Sequence, residues 1–304
     1  MNETRLQRPV VRVPLSEEQK NPLKEAFHGF LDAWHAAEDH PAPAATVLVE
    51  AVRRLSEIYT ARREESPFRN RRLLQARLHF FMPTDIPKIW LPLGELMARR
   101  PELLERPVLR LLDLGAGAGT ASLGALVLLK VLGYRGTVRI TAVEPDPLLR
   151  DPLLRALDVA GESLGIPLEV THHTAGLQPW LAASPPRSGS REERWDLALA
   201  LDVLTEALAP EAYPEEGLEL ARRLLRRLDP GGAAILVEPA LREPSRRLSR
   251  LRDRLRAEGL PVFAPCLAEG PCPELAADGY CFHAIQVPLN AWLQKLGDLA
   301  GLRR

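Results

Sequence analysis

Two sets of residues in this chain have the types and spacing to do chemistry. The first is a glycine turn. The run Val108-Leu-Arg-Leu-Leu-Asp-Leu114 is largely apolar and carries Asp113 near its end. Glycines follow at 115, 117 and 119, and then an apolar segment from Ser122 to Leu132. The pattern reads as strand, tight turn and helix, which brings backbone N–H groups and a helix N-terminus close to a ligand. Val138 to Val143 reads as a second strand and ends in Glu144. A carboxylate at that strand tip can accept hydrogen bonds from both hydroxyls of a ribose. A fourth strand, Trp195 to Leu201, ends at Asp202. The second set is Cys266, Cys272 and Cys281, three thiols within sixteen residues of a Pro/Gly-rich stretch, with His283 two residues further on. A loop can wrap such thiolates around one soft metal centre. His283 shares a face with Cys281 if that segment is a strand.

The glycine spacing narrows the ligand. The dinucleotide fingerprint needs G-x-G-x-x-G, whose last glycine lets the helix pack beside a pyrophosphate. Here Thr120 stands at that position and the glycine comes one residue early, at 119. The D-x-G-x-G-x-G spacing from Asp113 to Gly119 resembles the first motif of the class I S-adenosylmethionine (SAM) methyltransferases. The resemblance implies a SAM site built from Asp113, Gly115, Gly117, Gly119, Glu144 and Asp202.

These residues need a scaffold. Up to about residue 100 the chain reads as helical, with a start at Asn21-Pro22 and an apolar stripe of Leu23, Phe27, Phe30, Leu31 and Trp34. A break at His40-Pro-Ala-Pro43 precedes a second helix over about 44–64. A third covers about 70–81, and Pro83 and Pro87 interrupt it before a fourth at about 89–99. His28, His35 and His40 lack ligand spacing and read as ordinary surface or core residues. From 108 strands alternate with helices, as in a parallel α/β sheet. Strand three is Leu168 to His173, and Ser184 to Ser190 is a surface loop. A helix over about 215–228 leads to the turn Asp229-Pro-Gly-Gly232, which enters strand five, Ala233 to Val237, ahead of Glu238-Pro239. The tip of strand three, Thr174-Ala-Gly176, has no acid to hold an adenine. Ser245 to Glu258 reads as an amphipathic helix with Leu248, Leu251 and Leu255 on one side and six arginines around the rest, a surface that could track phosphates. The predicted organisation is a helical region over 1–100, a Rossmann-like doubly wound domain over 101–260 and a cysteine-containing segment with a last helix over 261–304.

A more specific resemblance rests on several pieces together. They are Leu112-Asp-Leu-Gly-Ala-Gly-Ala-Gly119, Val203-Leu-Thr-Glu206, Val237-Glu-Pro239 with Arg252-Asp253, Ala-Pro-Cys266, Pro-Cys-Pro273 and Tyr-Cys-Phe-His283. Over about 105–300 the chain resembles the SAM-dependent methyltransferase-like family associated with the mitochondrial small ribosomal subunit, which has bacterial relatives. The resemblance implies a link to small-subunit assembly and a [4Fe–4S] cluster on Cys266, Cys272 and Cys281, with zinc as the alternative and His283 as a candidate further ligand. It also implies a seven-stranded sheet that here lacks its last strand. The family's Cys-Pro-His at its first cysteine is replaced by Cys266-Leu-Ala268.

Composition bounds the function without choosing it. The 304 residues carry 40 basic and 40 acidic side chains, so overall charge points to no partner. Three clustered cysteines do not make a disulfide framework. No apolar run reaches the ~20 residues of a membrane span. The N-terminus has no basic stretch followed by an apolar one. A cytoplasmic protein with no membrane partner is expected. No Asn/Asp-Pro-Pro-Tyr follows strand four, which argues against methylation of exocyclic base amines, and no base or nucleophile stands out. Pro265-Cys266 lies too late in the chain for an RNA cytosine-C5 nucleophile. The leading expectation is a SAM-binding protein that acts on or beside ribosomal RNA of the small subunit. The alternatives are a non-catalytic assembly scaffold and a small-molecule methyltransferase with a helical cap.

Overall fold

The computed structural model describes residues 17–37, 43–60, 66–183, 194–266, 269–285 and 287–302. The surface loop expected at Ser184–Ser190 and the break before Pro43 lie largely or wholly outside them. Five parallel strands, β1 (Val108–Leu114), β2 (Thr137–Val143), β3 (Leu168–His173), β4 (Trp195–Leu201) and β5 (Leu228–Val237), form one sheet in the order β3-β2-β1-β4-β5. That is the doubly wound arrangement expected from the alternation of strands and helices. The order reverses between β1 and β4, and ligands of such sheets bind outside the carboxyl ends of the strands at that switch.

The central strands are almost wholly buried because helices cover both faces. One face carries α6 (Thr120–Val131) and α7 (Arg150–Leu164), the other α8 (Leu177–Ala182), α10 (Tyr213–Leu225) and α11 (Arg242–Ala257). The N-terminal helices α1 (Glu17–Ala36) and α2 (Ala45–Thr60) do not form a separate core. Phe27, Phe30, Trp34 and Leu48 join one continuous apolar cluster with α6 and α7. The C-terminal helix α13 (Ala291–Ala300) packs against α2 and closes that cluster with Leu293 and Leu296. Asn290 caps it through Leu293 N–H, and Gly301 ends it at φ +74°.

Three local expectations change. Helix α1 begins at Glu17, so Pro22 lies inside it rather than at its start. The apolar stripe from Leu23 to Trp34 is buried regardless, and that burial fixes the helix. Pro83 and Pro87 do not break the third helix. The path from Arg71 to Arg99 stays helical by changing pitch: α3 (Arg71–Ala76), a π-helical stretch Arg77–Phe81, α4 (Met82–Asp85), a 3-10 stretch Ile86–Ile89 and α5 (Trp90–Arg99). Each proline falls at the first positions of a new segment, where its missing N–H removes no bond within that segment. Asp229–Gly232 is not a turn ahead of β5. It bulges within that strand, between the pairs Trp195–Leu228 and Leu197–Ala233.

Candidate functional site

The glycine turn leaves β1 at the switch point. Gly115, Gly117 and Gly119 all have positive φ (+64°, +55° and +85°), a conformation that favours residues without a Cβ. Close packing adds a second demand. A Cβ on Gly115 would strike Val203, and one on Gly117 would stand 2.8 Å from a guanidinium nitrogen of Arg77. Ala116 N–H donates to Val143 O at 3.0 Å, which ties the turn to the end of β2.

Buried carboxylates hold this turn in place. Glu144 is 7 % exposed and accepts from Gly117 N–H at 2.8 Å through one oxygen and from Asp146 N–H at 2.9 Å through the other. Each oxygen keeps a lone pair, so the group still fits a ribose diol. Burial raises its pKa, opposed by those backbone donors. Asp113, 1 % exposed, spends one oxygen on Ser122, accepting from its N–H at 3.1 Å and its hydroxyl at 2.5 Å. It therefore joins the end of β1 to the first turn of α6. Burial pushes its pKa up to about 6 against the Ser122 bonds. Asp202 follows β4 with φ +57° and accepts from Lys88 Nζ at 2.5 Å through Oδ2, while its buried Oδ1 has no partner. Burial raises its pKa, with Lys88 opposing.

Sequence reasoning missed the helical residues that close this mouth. Arg77 donates to Thr120 Oγ1 at 3.3 Å and lies 3.8 Å from Asp85. Lys88 bridges Asp85 at 3.1 Å and Asp202. Glu238, noted only as the residue at the tip of β5, accepts from Leu204 and Thr205 N–H at 2.9 and 3.2 Å and so fixes the short helix α9 (Leu204–Ala207). Burial pushes its pKa to about 7. Arg77 opens a π-helical stretch, an irregularity that marks this place in the structure. Such irregular turns recur at functional sites, but a sequence does not display them.

The cysteine segment is organised differently. No three His, Cys, Asp or Glu side chains among the described residues are gathered to hold a metal, and none of the three cysteines is in a disulfide. The thiol and imidazole chemistry of Cys266, Cys272, Cys281 and His283 suits iron–sulfur or zinc, but this arrangement does not converge them. Residues 281–285 form no strand, so the shared face expected for Cys281 and His283 is not realised. Instead α11 grips the segment. Asp253 accepts from Cys272 N–H at 2.9 Å, and Arg252, Arg246 and Arg256 donate to the carbonyls of Gly270, Gly279 and Glu269 at 2.6, 2.6 and 3.2 Å. Arg242 pairs with Asp278, and Arg254 with Glu215 of α10. Most of the arginine face expected to meet phosphate therefore has partners within the chain. Arg250 is exposed. His28 bonds Pro288 O, and His35 packs on His79 and Trp292, as ordinary histidines do.

Residues 190–293 match the family model described as mitochondrial small ribosomal subunit Rsm22. Over those residues the chain is Rsm22-like. The Rsm22-like stretch runs from β4 into α13, including Asp202, Glu238 and the cysteines, and leaves the glycine turn outside. No curated protein matches the chain. Solved structures with a similar chain path include Escherichia coli YjhP, at 20 % identity over 51 % of this chain with a TM-score of 0.31. The chain spans about half of YjhP, 53 %. A Listeria monocytogenes protein assigned to the class I SAM-dependent methyltransferases aligns at 14 % identity over 78 % of this chain and 79 % of its own, TM-score 0.39. An O-methyltransferase family protein from Burkholderia thailandensis aligns at 15 % identity over 93 % and 66 %, TM-score 0.35. These superpositions are loose, and the Rossmann-like fold class rests on the strand order itself. No helix among the described residues is long and apolar enough to cross a membrane.

Proposed function

We propose that the chain binds SAM at the β1/β4 switch and works with the small ribosomal subunit, on or beside its RNA. The observation that carries the reading is the glycine turn held against the tip of β2 by Glu144, in a chain whose residues 190–293 are Rsm22-like. Gly115, Gly117 and Gly119 would form the floor beneath the cofactor. Glu144 would offer its remaining lone pairs to the ribose. Asp113 would set the pitch of α6 without touching the ligand, and Asp202 would offer its unpartnered oxygen to a donor. SAM, when bound, supplies a sulfonium-activated methyl group. Positioning alone can transfer such a group to a good nucleophile, so the lack of an obvious base leaves catalysis open to test. In this reading residues 1–100 cover the site, 101–260 hold the cofactor and 261–304 carry the cysteine segment and the last helix, in the cytoplasm expected from the sequence.

Calorimetry with SAM tests the site. Glu144→Ala should weaken binding by about 1–3 kcal/mol, the scale of losing hydrogen bonds to a charged group. Unchanged affinity in that variant, or no binding by the wild-type chain, would remove the assignment. Co-sedimentation with small subunits, with and without labelled SAM, separates a methyltransferase from a scaffold and both from a small-molecule enzyme.

The iron–sulfur cluster on Cys266, Cys272 and Cys281 is a second proposal, resting on the family resemblance and the donor chemistry. No step of the reading above depends on it. Anaerobic purification with iron, sulfide and zinc analysis decides it. A colourless chain without iron or zinc that resists reconstitution would return these thiols to a purely structural role.

A further inference from the structure

The helical layer brings two cations to the mouth of the glycine turn, and they are not equivalent. Lys88 lies between Asp85 and Asp202, at 3.1 and 2.5 Å, and is committed to neutralising them. Arg77 is packed more deeply, with its side chain 16 % exposed and its Cζ 6.0 Å from the centre of the Tyr59 ring, yet its five donors make one hydrogen bond, to Thr120 at 3.3 Å, and one loose ion pair, to Asp85 at 3.8 Å. Its guanidinium stands directly over Gly117, where even a Cβ would come within 2.8 Å. Around it lie Asp85, Asp202, Glu206 and Glu144, so the mouth is rich in carboxylates. A ligand that itself bears a carboxylate needs a cation with donors to spare in such a place.

We propose that Arg77 is the anchor for the carboxylate of the cofactor's amino-acid end, so that the helical layer distinguishes SAM from a bare nucleoside. The proposal rests on the SAM reading above and adds a specificity-determining residue to it. The donor fork of an arginine suits a carboxylate held in two parallel hydrogen bonds. Because Arg77 opens the π-helical stretch, the local pitch change at 77–81 aims the layer at the turn. The nucleoside would be read by Glu144 on the sheet, and the amino-acid end by a residue from a different layer.

Calorimetry of the full chain with SAM, S-adenosylhomocysteine and 5′-methylthioadenosine tests the division. The last keeps the nucleoside and sulfur but has no amino-acid end. Arg77→Ala should weaken the first two by about 10- to 100-fold and leave the third within about threefold, since only the first two offer a carboxylate. Arg77→Lys should recover part of the loss by keeping the charge without the fork. If the alanine variant does not fold by circular dichroism, the lysine variant carries the same comparison, with a selective loss on the two carboxylate ligands expected. An equal loss on all three ligands, or no loss on any, overturns the anchor and leaves the cofactor reading standing. A wild-type chain that binds none of the three overturns both.

Discussion

The glycine-turn mouth and the cysteine segment both look like sites in the sequence, but they are built in opposite ways. In the first, side chains far apart in the chain converge because parallel strands deliver their tips to one edge. Asp113, Glu144, Asp202 and Glu238 come from four different strand ends, and Arg77 and Lys88 come from a helical layer. In the second, the residues are close in sequence yet do not converge, because a loop pinned through its carbonyls to α11 has no element that aims its thiols. Nearness along the chain is a weaker guide to a site than the topology that gathers strand ends.

The largest expected difference between the regions lies in their glycines. Gly115→Ala adds a Cβ against Val203 at φ +64° and should cost about 2–5 kcal/mol, combining left-handed strain with overpacking. Gly270 in the cysteine segment has open space around it and no positive φ, so Gly270→Ala should stay within about 0.5 kcal/mol. Urea unfolding of the two variants measures the contrast. Equal costs would mean that the turn is not the rigid half of the comparison.

A pH test sharpens the electrostatic side. The pKa of Asp113 is raised by burial from the ordinary 3.8 to about 6. Its ionisation therefore opposes the fold. The stability tied to its neutral form is complete below about pH 4 and is lost as pH rises through about 6. Asp113→Asn keeps an acceptor for Ser122 and removes the charge. Its stability relative to wild type should rise by about 1–3 kcal/mol between pH 4 and 7. A constant difference across that range would show that burial does not govern this group. The cysteine segment offers no comparably buried carboxylate among its described residues.

The smallest effect concerns the grip of α11. Arg246→Ala removes the bond to Gly279 O and the pairing with Asp278, for about 1 kcal/mol or less globally. Limited proteolysis should nonetheless cleave within 259–285 faster, because the loss is local. Unchanged cleavage would mean that apolar contacts, not the arginines, hold the segment.

Local sequence determined the strands, the turn and most helices. Strand-length runs fix β1 to β4 within a residue; burial on both faces explains this for β1 and β4, while β3, at the edge of the sheet, alternates half-buried with exposed residues. The three positive-φ glycines were also legible, because backbone geometry dictates residue type there. Tertiary structure alone decided what those residues touch. Asp113 turned inward to Ser122, the arginine face of α11 was taken up by intramolecular partners, and Pro83 and Pro87 were absorbed by changes of helical pitch. Arg77 and Lys88 carry no motif. Their place over the switch point follows from packing the N-terminal helices onto α6 and α7, a long-range contact between apolar faces that no local spacing encodes.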